Sequence, residues 1–301
     1  MLDEHEWESV LQVAMDGTFS LAARHLFVSQ PSLSQCIKKI EGELGMQIFD
    51  RSQTPLRLTE AGELYVQAAQ EMRKIRRGLL RQVDDLSELR TGEVRIGSSR
   101  TRSVCLLTPA LVKFHQRYPN IRLSVVEGST ERLREHVLQG HVDFSLIYEP
   151  LPDTLFQTTS ILEEQVLLAV PMEHPFARDY DGIQPIPYPK ISFARFHQEP
   201  FITLKAARRM SAIFDDLCAQ TQASPEIVFE ADSILSAAEL CSGGMGSALV
   251  TDMVAQHGLA RGMPFLFEIL EPVEPRRLVA AYGKNHNLSR AAKVFLEFLR
   301  Q

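Results

Sequence analysis

The sequence predicts an α/β protein with a small all-α head, a long linker helix and a larger domain in which strands and helices alternate. Three observations support this prediction. Short amphipathic helices with recognisable caps crowd residues 1–58, apolar residues recur at helical spacing over residues 59–90, and strand-like and helix-like segments alternate over residues 91–301. Such alternation is typical of domains with mainly parallel sheets.

Composition limits the class of protein. The chain has 301 residues, of which 45% are hydrophobic, so it is long enough for two domains and too apolar to be disordered. Its acidic start carries no secretion signal, and apolar runs such as Val166–Val170 fall far below the roughly 20 residues that span a bilayer. The four cysteines form no CxxC pair, which fits free thiols. We therefore expect a cytoplasmic protein with no membrane partner.

Two short helices open the head. Trp7, Val10, Leu11 and Ala14 recur at three- and four-residue spacing, which predicts an amphipathic helix that ends before Gly17. Ser20 is placed to cap a second helix over Leu21–Leu26, and a tight turn at Phe27-Val28 follows.

A third helix is predicted from Ser29, its N-cap, to about Leu44, with Pro31 in the first turn and Gly45 as the left-handed C-cap. Its apolar residues, including Leu33 and Ile37, face the core. The opposite face carries Gln30, Ser32, Ser34, Gln35, Lys38 and Lys39.

Side chains of these types read base edges and phosphates in the major groove of DNA. Taken alone, such a face is more often simply solvated. The context favours DNA, because Ile48-Phe49-Asp50-Arg51 and Leu56-Arg57-Leu58-Thr59 form a predicted hairpin wing, with Arg51 and Arg57 as phosphate contacts. Residues 1–58 are thus predicted to be a winged helix-turn-helix. Since the net charge is −6, any DNA contact must come from this local surface.

The stretch GTFSLAARHLFVSQPSLSQCIKKIEGELGMQIFDRSQTPLRLTEAGE resembles the head of the LysR-type transcriptional regulators. The resemblance implies a sequence-specific transcription regulator and makes six residues DNA-contact candidates: Gln30, Pro31, Ser32, Ser34, Gln35 and Lys38. Gln35 and Cys36 stand where many members have Arg and Gln. The base preference of those members therefore does not carry over to this chain. For Cys36, a partly buried thiol is the commoner interpretation and a redox sensor the alternative.

Residues 59–90 are predicted to form a linker helix capped by Thr59. Its apolar residues recur at three- and four-residue steps, as in the seam of a coiled coil: Ala61, Tyr65, Ala68, Met72, Ile75, Leu79, Val83 and Leu86. A lone helix cannot bury such a seam, so we expect a dimer on double-stranded operator DNA with two-fold symmetry. The basic residues Arg73, Lys74, Arg76, Arg77 and Arg81 are expected on a solvated face. The family resemblance implies a homotetramer completed by sensor contacts.

The remaining chain, residues 91–301, is predicted to be a sensor. Predicted strands are Glu93–Gly97, Ile121–Glu127, Val142–Tyr148, Gln165–Val170, Pro200–Leu204, Glu226–Glu230, Ala248–Thr251, Phe265–Ile269 and Arg277–Tyr282. Predicted helices are Leu106–Tyr118, Glu131–Gln139, Ala206–Gln220, Ser233–Ser242 and Arg290–Leu299.

Phrases such as YPNIRLSVVEG and SGGMGSALV are similar to those of LysR-type sensors and imply a two-lobed, periplasmic-binding-protein-like effector domain. The resemblance assigns residues 93–162 and 268–301 to lobe I and residues 163–267 to lobe II. The connector at residues 178–197 is longer than usual. A plain surface insertion is the favoured interpretation of this connector, and a flap over the cleft or a contact with a neighbour is the alternative.

Small hydroxyl residues follow successive strands of the sensor. Ligands of open parallel sheets sit outside the carboxyl ends of strands, where helix N-termini offer N–H groups. Helix capping explains each hydroxyl almost equally well, but their recurrence favours a pocket, and the resemblance places effector contacts at these same turns. The candidate effector residues are Ser98, Ser99, Arg100, Thr101, Ser129, Thr130, Thr203 and Leu204. For Arg100, a solvated arginine is the commoner interpretation and a partner for a carboxylate the alternative. We expect a small, polar, anionic metabolite.

Other classes of function fit poorly. The sequence has no GxSxG, P-loop or GxGxxG motif, and we predict neither an enzyme nor a cofactor. His136 and His141 are five residues apart, off a common helical face, so we expect no metal site. A transported-solute-binding protein would need a signal peptide. Redox sensing through Cys218 and Cys241 is a weaker alternative input. The sequence does not identify the effector, the target genes or the direction of regulation.

Overall fold

The computed structural model describes residues 3–53, 55–86, 91–181, 183–205, 209–257, 262–284 and 287–300. Contacts divide the chain into two compact units, Met1–Leu86 and Ser87–Gln301. Parts of four predicted features lie outside the described residues: residue 54 of the hairpin, residues 87–90 of the linker, residue 182 of the connector and residues 206–208 of a sensor helix.

Three helices form the head: α1 (Glu4–Asp16), α2 (Phe19–His25) and α3 (Gln30–Leu44). Ser29 caps α3 and Gly45 ends it in the left-handed conformation, as predicted. Helix α2 begins earlier than predicted because Thr18, not Ser20, is its cap, with the Thr18 hydroxyl accepting a hydrogen bond from the backbone N–H of Leu21.

The wing and the linker helix complete this unit. Strands β1 (Phe49–Asp50) and β2 (Arg57–Leu58) pair antiparallel, and α4 spans Glu60–Leu86. Gly62 lets α4 approach the wing closely, since a Cβ at this position would lie 2.1 Å from the carbonyl oxygen of Ile48.

The head core is made by the apolar faces of all four helices. Trp7, Val10, Ile37 and Ile40 are buried in it together with Tyr65 of α4. Helix α4 therefore begins as part of the head rather than as a separate linker.

The second unit contains eleven strands and eight helices within its described residues. The strands are β3 (Gly92–Ser98), β4 (Ile121–Glu127), β5 (Phe144–Tyr148), β6 (Phe156–Glu164), β7 (Val166–Val170), β8 (Lys190–Ile191), β9 (Pro200–Leu204), β10 (Glu226–Ala231), β11 (Ser247–Thr251), β12 (Phe265–Ile269) and β13 (Arg276–Gly283). The helices are α5 (Arg100–Arg102), α6 (Thr108–Arg117), α7 (Thr130–Leu138), α8 (Pro175–Arg178), α9 (Arg209–Thr221), α10 (Ile234–Ser242), α11 (Asp252–His257) and α12 (Arg290–Leu299).

The strands form two mixed sheets that define two lobes. The first sheet has the order β4-β3-β5-β13-β6, and the second has the order β10-β9-β11-β7-β12-β8. The chain passes from the first lobe to the second between Glu164 and Val166 and returns between Ile269 and Arg276. Parallel pairing joins β4, β3 and β5, whereas β13 runs antiparallel to β5 and β6.

Several sensor elements were missed by the sequence pattern. Strand β6 has an irregular mixture of buried and exposed residues, and β8 has only two residues. The helix predicted over Leu106–Tyr118 is α6, and the helical region begins earlier than predicted because α5 and a π-helical turn at Ser103–Leu107 precede it.

The connector is an extension of lobe II. Its strand β8 pairs with β12, and Phe193 and Phe196 are fully buried in the lobe II core. Gln184 bonds both backbone groups of Leu266, donating to its carbonyl oxygen at 3.0 Å and accepting from its N–H at 2.7 Å. These contacts anchor the connector to lobe II, whereas Ile183 and Ile186 are 72% and 86% exposed, so a surface insertion stays the favoured interpretation.

Candidate DNA interface and effector site

The predicted DNA-contact residues of α3 lie on its exposed side. Gln30, Pro31, Ser32, Gln35 and Lys38 are exposed and Ser34 is partly exposed. The opposite side, formed by Leu33, Ile37 and Ile40, is buried in the head core. The structure therefore presents these six candidates together on one helix surface.

An ion pair fastens this helix to α1. Lys39 Nζ donates to Oε1 of Glu6 at 2.7 Å, and the Glu6 side chain is buried whereas Lys39 is largely exposed. The hydrogen bond from Lys39 lowers the pKa of Glu6 from 4.5 to about 2. Glu6 thus stays ionised at neutral pH and holds α3 in place.

The two wing arginines differ in their surroundings. Arg51 Nη2 donates to Oε2 of Glu41 at 2.7 Å, and its guanidinium carbon lies 5.5 Å from the centroid of the Phe19 ring. Arg57 is exposed on β2, opposite Asp50. Arg57 is therefore presented to solvent. The guanidinium of Arg51 already binds Glu41, so a DNA phosphate would have to share this guanidinium with that carboxylate.

One exposed aromatic residue beside this interface was missed by sequence reasoning. Phe27 is 95% exposed and has a φ of 56°, and it lies in the turn that precedes Ser29. Single exposed apolar side chains are common on protein surfaces, but this one adjoins the exposed face of α3. Its position at the start of α3 adds it to the candidate DNA interface.

The predicted coiled-coil seam divides into two parts. Tyr65 and Met72 pack against the head core. Ile75, Leu79 and Val83 are 73%, 60% and 54% exposed, and the side chain of Leu86 lies outside the described residues. Among the seam residues whose side chains the structure describes, these are the large apolar ones left available to another chain, and the small Ala68 is exposed as well.

Arg73 is not on a solvated face. It is buried in the structure, and its Nη1 lies 3.6 Å from Oε2 of Glu8. The face of α4 that carries Arg73 is turned toward α1, which helical periodicity alone does not reveal. This residue corrects the sequence prediction.

Two of the predicted effector turns meet at one edge of the first sheet. Strands β3 and β4 are parallel with Ser98 opposite Glu127, and the N–H of Gly128 donates to the carbonyl oxygen of Ser98 at 3.1 Å. Ser99 caps α5 and Ser129 caps α7. The turns that carry Ser98, Ser99, Thr101, Ser129 and Thr130 are therefore adjacent, with two helix N-termini beside them.

The other candidates are less uniform. Thr203 and Leu204 end β9 in lobe II, and the Leu204 side chain belongs to the lobe II core, so its backbone alone is available to a ligand. Ser98 is fully buried, and Arg100 is exposed. The hydroxyl oxygens of Ser99 and Ser129 already accept backbone N–H bonds as helix caps. Each hydroxyl can still donate a hydrogen bond to a ligand.

A buried charged cluster lies where the chain crosses between the lobes. We call Arg102, Tyr148, Glu164 and Arg276 the hinge cluster. Tyr148 Oη donates to Oε2 of Glu164, and Arg276 Nη1 lies 3.6 Å from the same oxygen. The guanidinium carbons of Arg102 and Arg276 lie 5.0 Å and 3.9 Å from the centroid of the Tyr148 ring. Sequence analysis predicted none of these four residues.

Burial sets the protonation chemistry of the hinge cluster. Loss of water raises the pKa values of Glu164 and Tyr148 and lowers the pKa of Arg102. Glu164 is opposite Arg276 in the β6–β13 pairing, so attraction to this arginine opposes the effect of burial. Buried charges of this kind require partners that offset their lost hydration.

Histidines and cysteines suggest no catalytic or metal centre. The Nδ1 atoms of His136 and His141 are 2.9 Å apart because the turn at Gly140 folds the chain back, which sequence spacing did not predict. The described residues contain no group of three or more potential metal ligands. Burial raises the pKa of Cys105 to about 11 and also raises the pKa values of Cys218 and Cys241, so none of the three is a ready thiolate.

The fold and these surfaces define a class: a winged helix-turn-helix joined through a long helix to a two-lobed ligand-binding domain. Residues 5–63 match the bacterial regulatory helix-turn-helix proteins of the lysR family, and residues 87–301 match the LysR substrate binding domain. The chain therefore belongs to the LysR family of DNA-binding transcription regulators, which are not enzymes, and carries the effector-binding domain of that family. Within the described part of the chain, every helix is too short or too polar to span a bilayer.

Relatives share the whole length of the chain. The uncharacterised HTH-type transcriptional regulator YcgK of Bacillus subtilis is 29% identical over 100% of this chain and 94% of its own. A "Probable RuBisCO transcriptional regulator" of Nostoc is 28% identical over 94% of this chain and 83% of its own.

Solved structures share the fold. The structure of a full-length OxyR variant from Pseudomonas aeruginosa has a TM-score of 0.65 at 22% identity and covers 100% of this chain and 98% of its own. The LysR family regulator CbnR has a TM-score of 0.63 at 18% identity, with 99% and 98% coverage. At these identities the likeness concerns the fold.

Proposed function

We propose that this regulator is controlled by a small, anionic metabolite bound between its two sensor lobes. The observation that carries the proposal is the meeting of two capped turns at the carboxyl ends of β3 and β4, where Gly128 bonds to Ser98. Ligands of open α/β sheets bind at such edges, and helix N-termini favour negative charge there.

The proposed effector contacts are hydrogen-bonding groups from both lobes. Lobe I contributes the turns after β3 and β4, and lobe II contributes the end of β9. The residues are Ser98, Ser99, Arg100, Thr101, Ser129, Thr130, Thr203 and Leu204, the last through its backbone. Of these, Arg100 supplies a positive charge that is exposed to incoming ligand.

DNA reading is proposed to centre on α3. Gln30, Pro31, Ser32, Ser34, Gln35 and Lys38 would face the major groove, with Arg51 and Arg57 of the wing on phosphates. The exposed polar face of α3 over a fully buried apolar face supports this arrangement. A regulator of chromosomal operators works in the cytoplasm, which is where we place it.

Assembly is proposed to involve two surfaces. Ile75, Leu79 and Val83 on α4 would pair two chains as a dimer. A tetramer would then form through the sensors, where a groove of about 670 Å³ runs between α6 and β4, lined in part by Leu111 and Val112. Edge strand β10 also exposes three apolar residues, Ile227, Val228 and Phe229.

Operator mapping with the full chain, followed by a metabolite screen, tests the proposal. Genomic fragments bound by the protein give the operator, and small carboxylates and phosphate esters are then screened for a change in operator affinity. An anionic metabolite that changes operator affinity, and that loses its effect in Ser99→Ala and Thr130→Val, supports the proposal. Neutral or cationic ligands acting with no dependence on these residues would contradict it.

A further inference from the structure

The hinge cluster holds more positive than negative charge. It contains two guanidinium groups, those of Arg102 and Arg276, and one carboxylate, that of Glu164, and all three side chains are buried. Asp252 also acts electrostatically on Glu164, but among the described residues no ion pair joins Asp252 to Arg102 or Arg276. A buried charge without a full set of partners is unfavourable, so this surplus requires an explanation.

The hinge cluster also has more hydrogen-bond donors than acceptors to receive them. Among the described residues, Nε of Arg102 and both Nε and Nη1 of Arg276 are buried without a hydrogen-bond partner. The buried hydroxyls of Ser103 and Thr251 likewise have none. Buried polar groups are nearly always bonded, so unpaired ones of this kind require an explanation, of which a bound ligand is one.

The position of the hinge cluster is suited to a ligand. Arg102 follows the carboxyl end of β3 and Tyr148 ends β5, so both lie at the sheet edge where α/β folds bind ligands. The π-helical turn Ser103–Leu107 directly after Arg102 contacts α11 of lobe II. Irregular helical turns of this type are frequent at functional sites.

We propose that the hinge cluster is an anion-binding site, in which a small oxyanion binds to the guanidinium groups of Arg102 and Arg276. Oxyanions accept several charge-assisted hydrogen bonds at once and supply the missing negative charge. The proposal rests on the proposed function, because it assigns the anionic group of the effector to these two buried arginines rather than to the exposed Arg100.

Such a site would couple binding to lobe arrangement. Glu164 is the last residue before the chain crosses to lobe II, and Arg276 is the first residue of β13 after it returns. An oxyanion on Arg276 competes with Glu164 for the same guanidinium. Binding therefore changes the interaction between the two crossing strands, and lobe arrangements that differ in this interaction bind the anion with different affinity.

Scanning calorimetry of the full chain tests the site with simple probes. Sodium acetate and sodium phosphate are compared with sodium chloride at equal ionic strength and pH 7, and the shift of the sensor transition with concentration gives the apparent affinity. Trp7, the one tryptophan in the chain, is buried in the head, so its fluorescence reports head unfolding separately. We expect acetate or phosphate to raise the sensor transition above its value in chloride. The larger response identifies a carboxylate or a phosphate group.

Variants expected to change oxyanion affinity in opposite directions distinguish loss of the site from misfolding. R102Q and R276Q should each weaken oxyanion binding roughly tenfold or more, since a charged hydrogen bond is lost. E164Q removes the competing carboxylate at nearly constant shape and should strengthen it. R277Q is a matched control with an exposed side chain and should bind like wild type.

The outcomes separate this site from the proposed function. The hinge site is overturned if acetate and phosphate shift the sensor transition no more than chloride does, in both wild type and E164Q. The cluster would then be purely structural. If a metabolite still changes operator affinity through Ser99 and Thr130 in that case, the proposed function stands alone.

Discussion

Glu6 and Lys39 join α1 to the recognition helix α3 through an ion pair in which Oε1 and Nζ are 2.7 Å apart. The carboxylate is buried and the ammonium is largely exposed. The orientation of the DNA-reading face therefore depends on the charge of one acidic residue in a different helix.

This pair predicts an acid-sensitive head. The pKa of Glu6 is lowered from 4.5 to about 2 in the folded state, so its stabilising effect is fully present above the unfolded value and is lost as pH falls from about 4.5 to 2. Denaturant unfolding followed by Trp7 fluorescence should show Glu6→Gln less stable than wild type at pH 7, with the difference shrinking toward pH 2. Glu43→Gln, which changes the more distant 3.8 Å partner of Lys39, should have little effect. A Glu6→Gln difference that does not change between pH 7 and 2 would refute this assignment.

Base reading and phosphate binding should separate on α3 and the wing. Gln35→Ala should cost about 1–3 kcal/mol on the operator and relax base preference. Arg57→Ala should weaken all DNA sequences alike and reduce the salt dependence. Arg51→Ala should do the same, with an added loss of wing stability because Glu41 loses its guanidinium partner and keeps only backbone N–H donors.

Fluorescence anisotropy at several salt concentrations measures these effects. Lys74→Ala on α4, whose partner is Glu71, is a control that should bind as wild type does. Operator affinity unaltered in both Gln35→Ala and Arg57→Ala would exclude this face as the DNA interface.

The exposed part of α4 should mediate dimerisation. Leu79→Asp places a charge among Ile75, Leu79 and Val83, and loss of one buried leucine should raise the dimer dissociation constant at least about tenfold. Light scattering over a concentration series measures it. Gln67→Asp, at an exposed polar position of the same helix, should leave the mass unchanged. Equal masses for Leu79→Asp and wild type would rule out this surface.

Effector binding should depend on hydroxyls that also cap helices. Ser99→Ala removes a cap and a proposed ligand contact. It should therefore lower the free energy of unfolding of the sensor by about 1 kcal/mol and also lower effector affinity. Thr130→Val should lower affinity with less effect on stability. Calorimetry with the effector from the metabolite screen measures both. Ser289→Ala, which removes the cap of α12, should reduce stability alone; effector affinity falling equally in all three variants would indicate a general loss of folding.

Oxidation of Cys105, Cys218 or Cys241 should not control DNA binding. Burial raises the pKa of Cys105 to about 11 and raises those of Cys218 and Cys241, so thiolate is scarce at neutral pH. Operator affinity of a Cys36→Ser variant, which lacks the partly buried cysteine of α3, should stay constant under mild peroxide treatment. A shift that is reversed by a thiol reductant would reinstate the redox alternative.

Sequence patterns located the elements of the head well because caps and periodicity are local properties. Ser29, Pro31 and Gly45 fix the ends of α3, and all three act as predicted. The seam of α4 was assigned to a partner throughout, yet Tyr65 and Met72 pack on the head. A periodic apolar stripe identifies the face of a helix that is buried. It does not identify the surface packed against that face, which depends on tertiary contacts.

The hinge cluster could not be predicted for a related reason. Arg102, Tyr148, Glu164 and Arg276 are far apart in the chain and meet only because β13 lies between β5 and β6. Arg100 looked like the more suitable anion partner from its position in the turn, but Arg102 is the buried one. Non-local pairing of strands creates the site, and no short motif records it.

The most direct test of ligand-controlled DNA binding is a closed thermodynamic cycle between operator and effector. The operator dissociation constant is measured with and without saturating effector, and the effector dissociation constant with and without saturating operator. Coupling between the sites requires the same factor in both directions, typically about 5- to 150-fold. We expect equal factors that fall toward one in the Ser99→Ala and Thr130→Val variants. An effector that binds the sensor tightly and leaves operator affinity unchanged would contradict it.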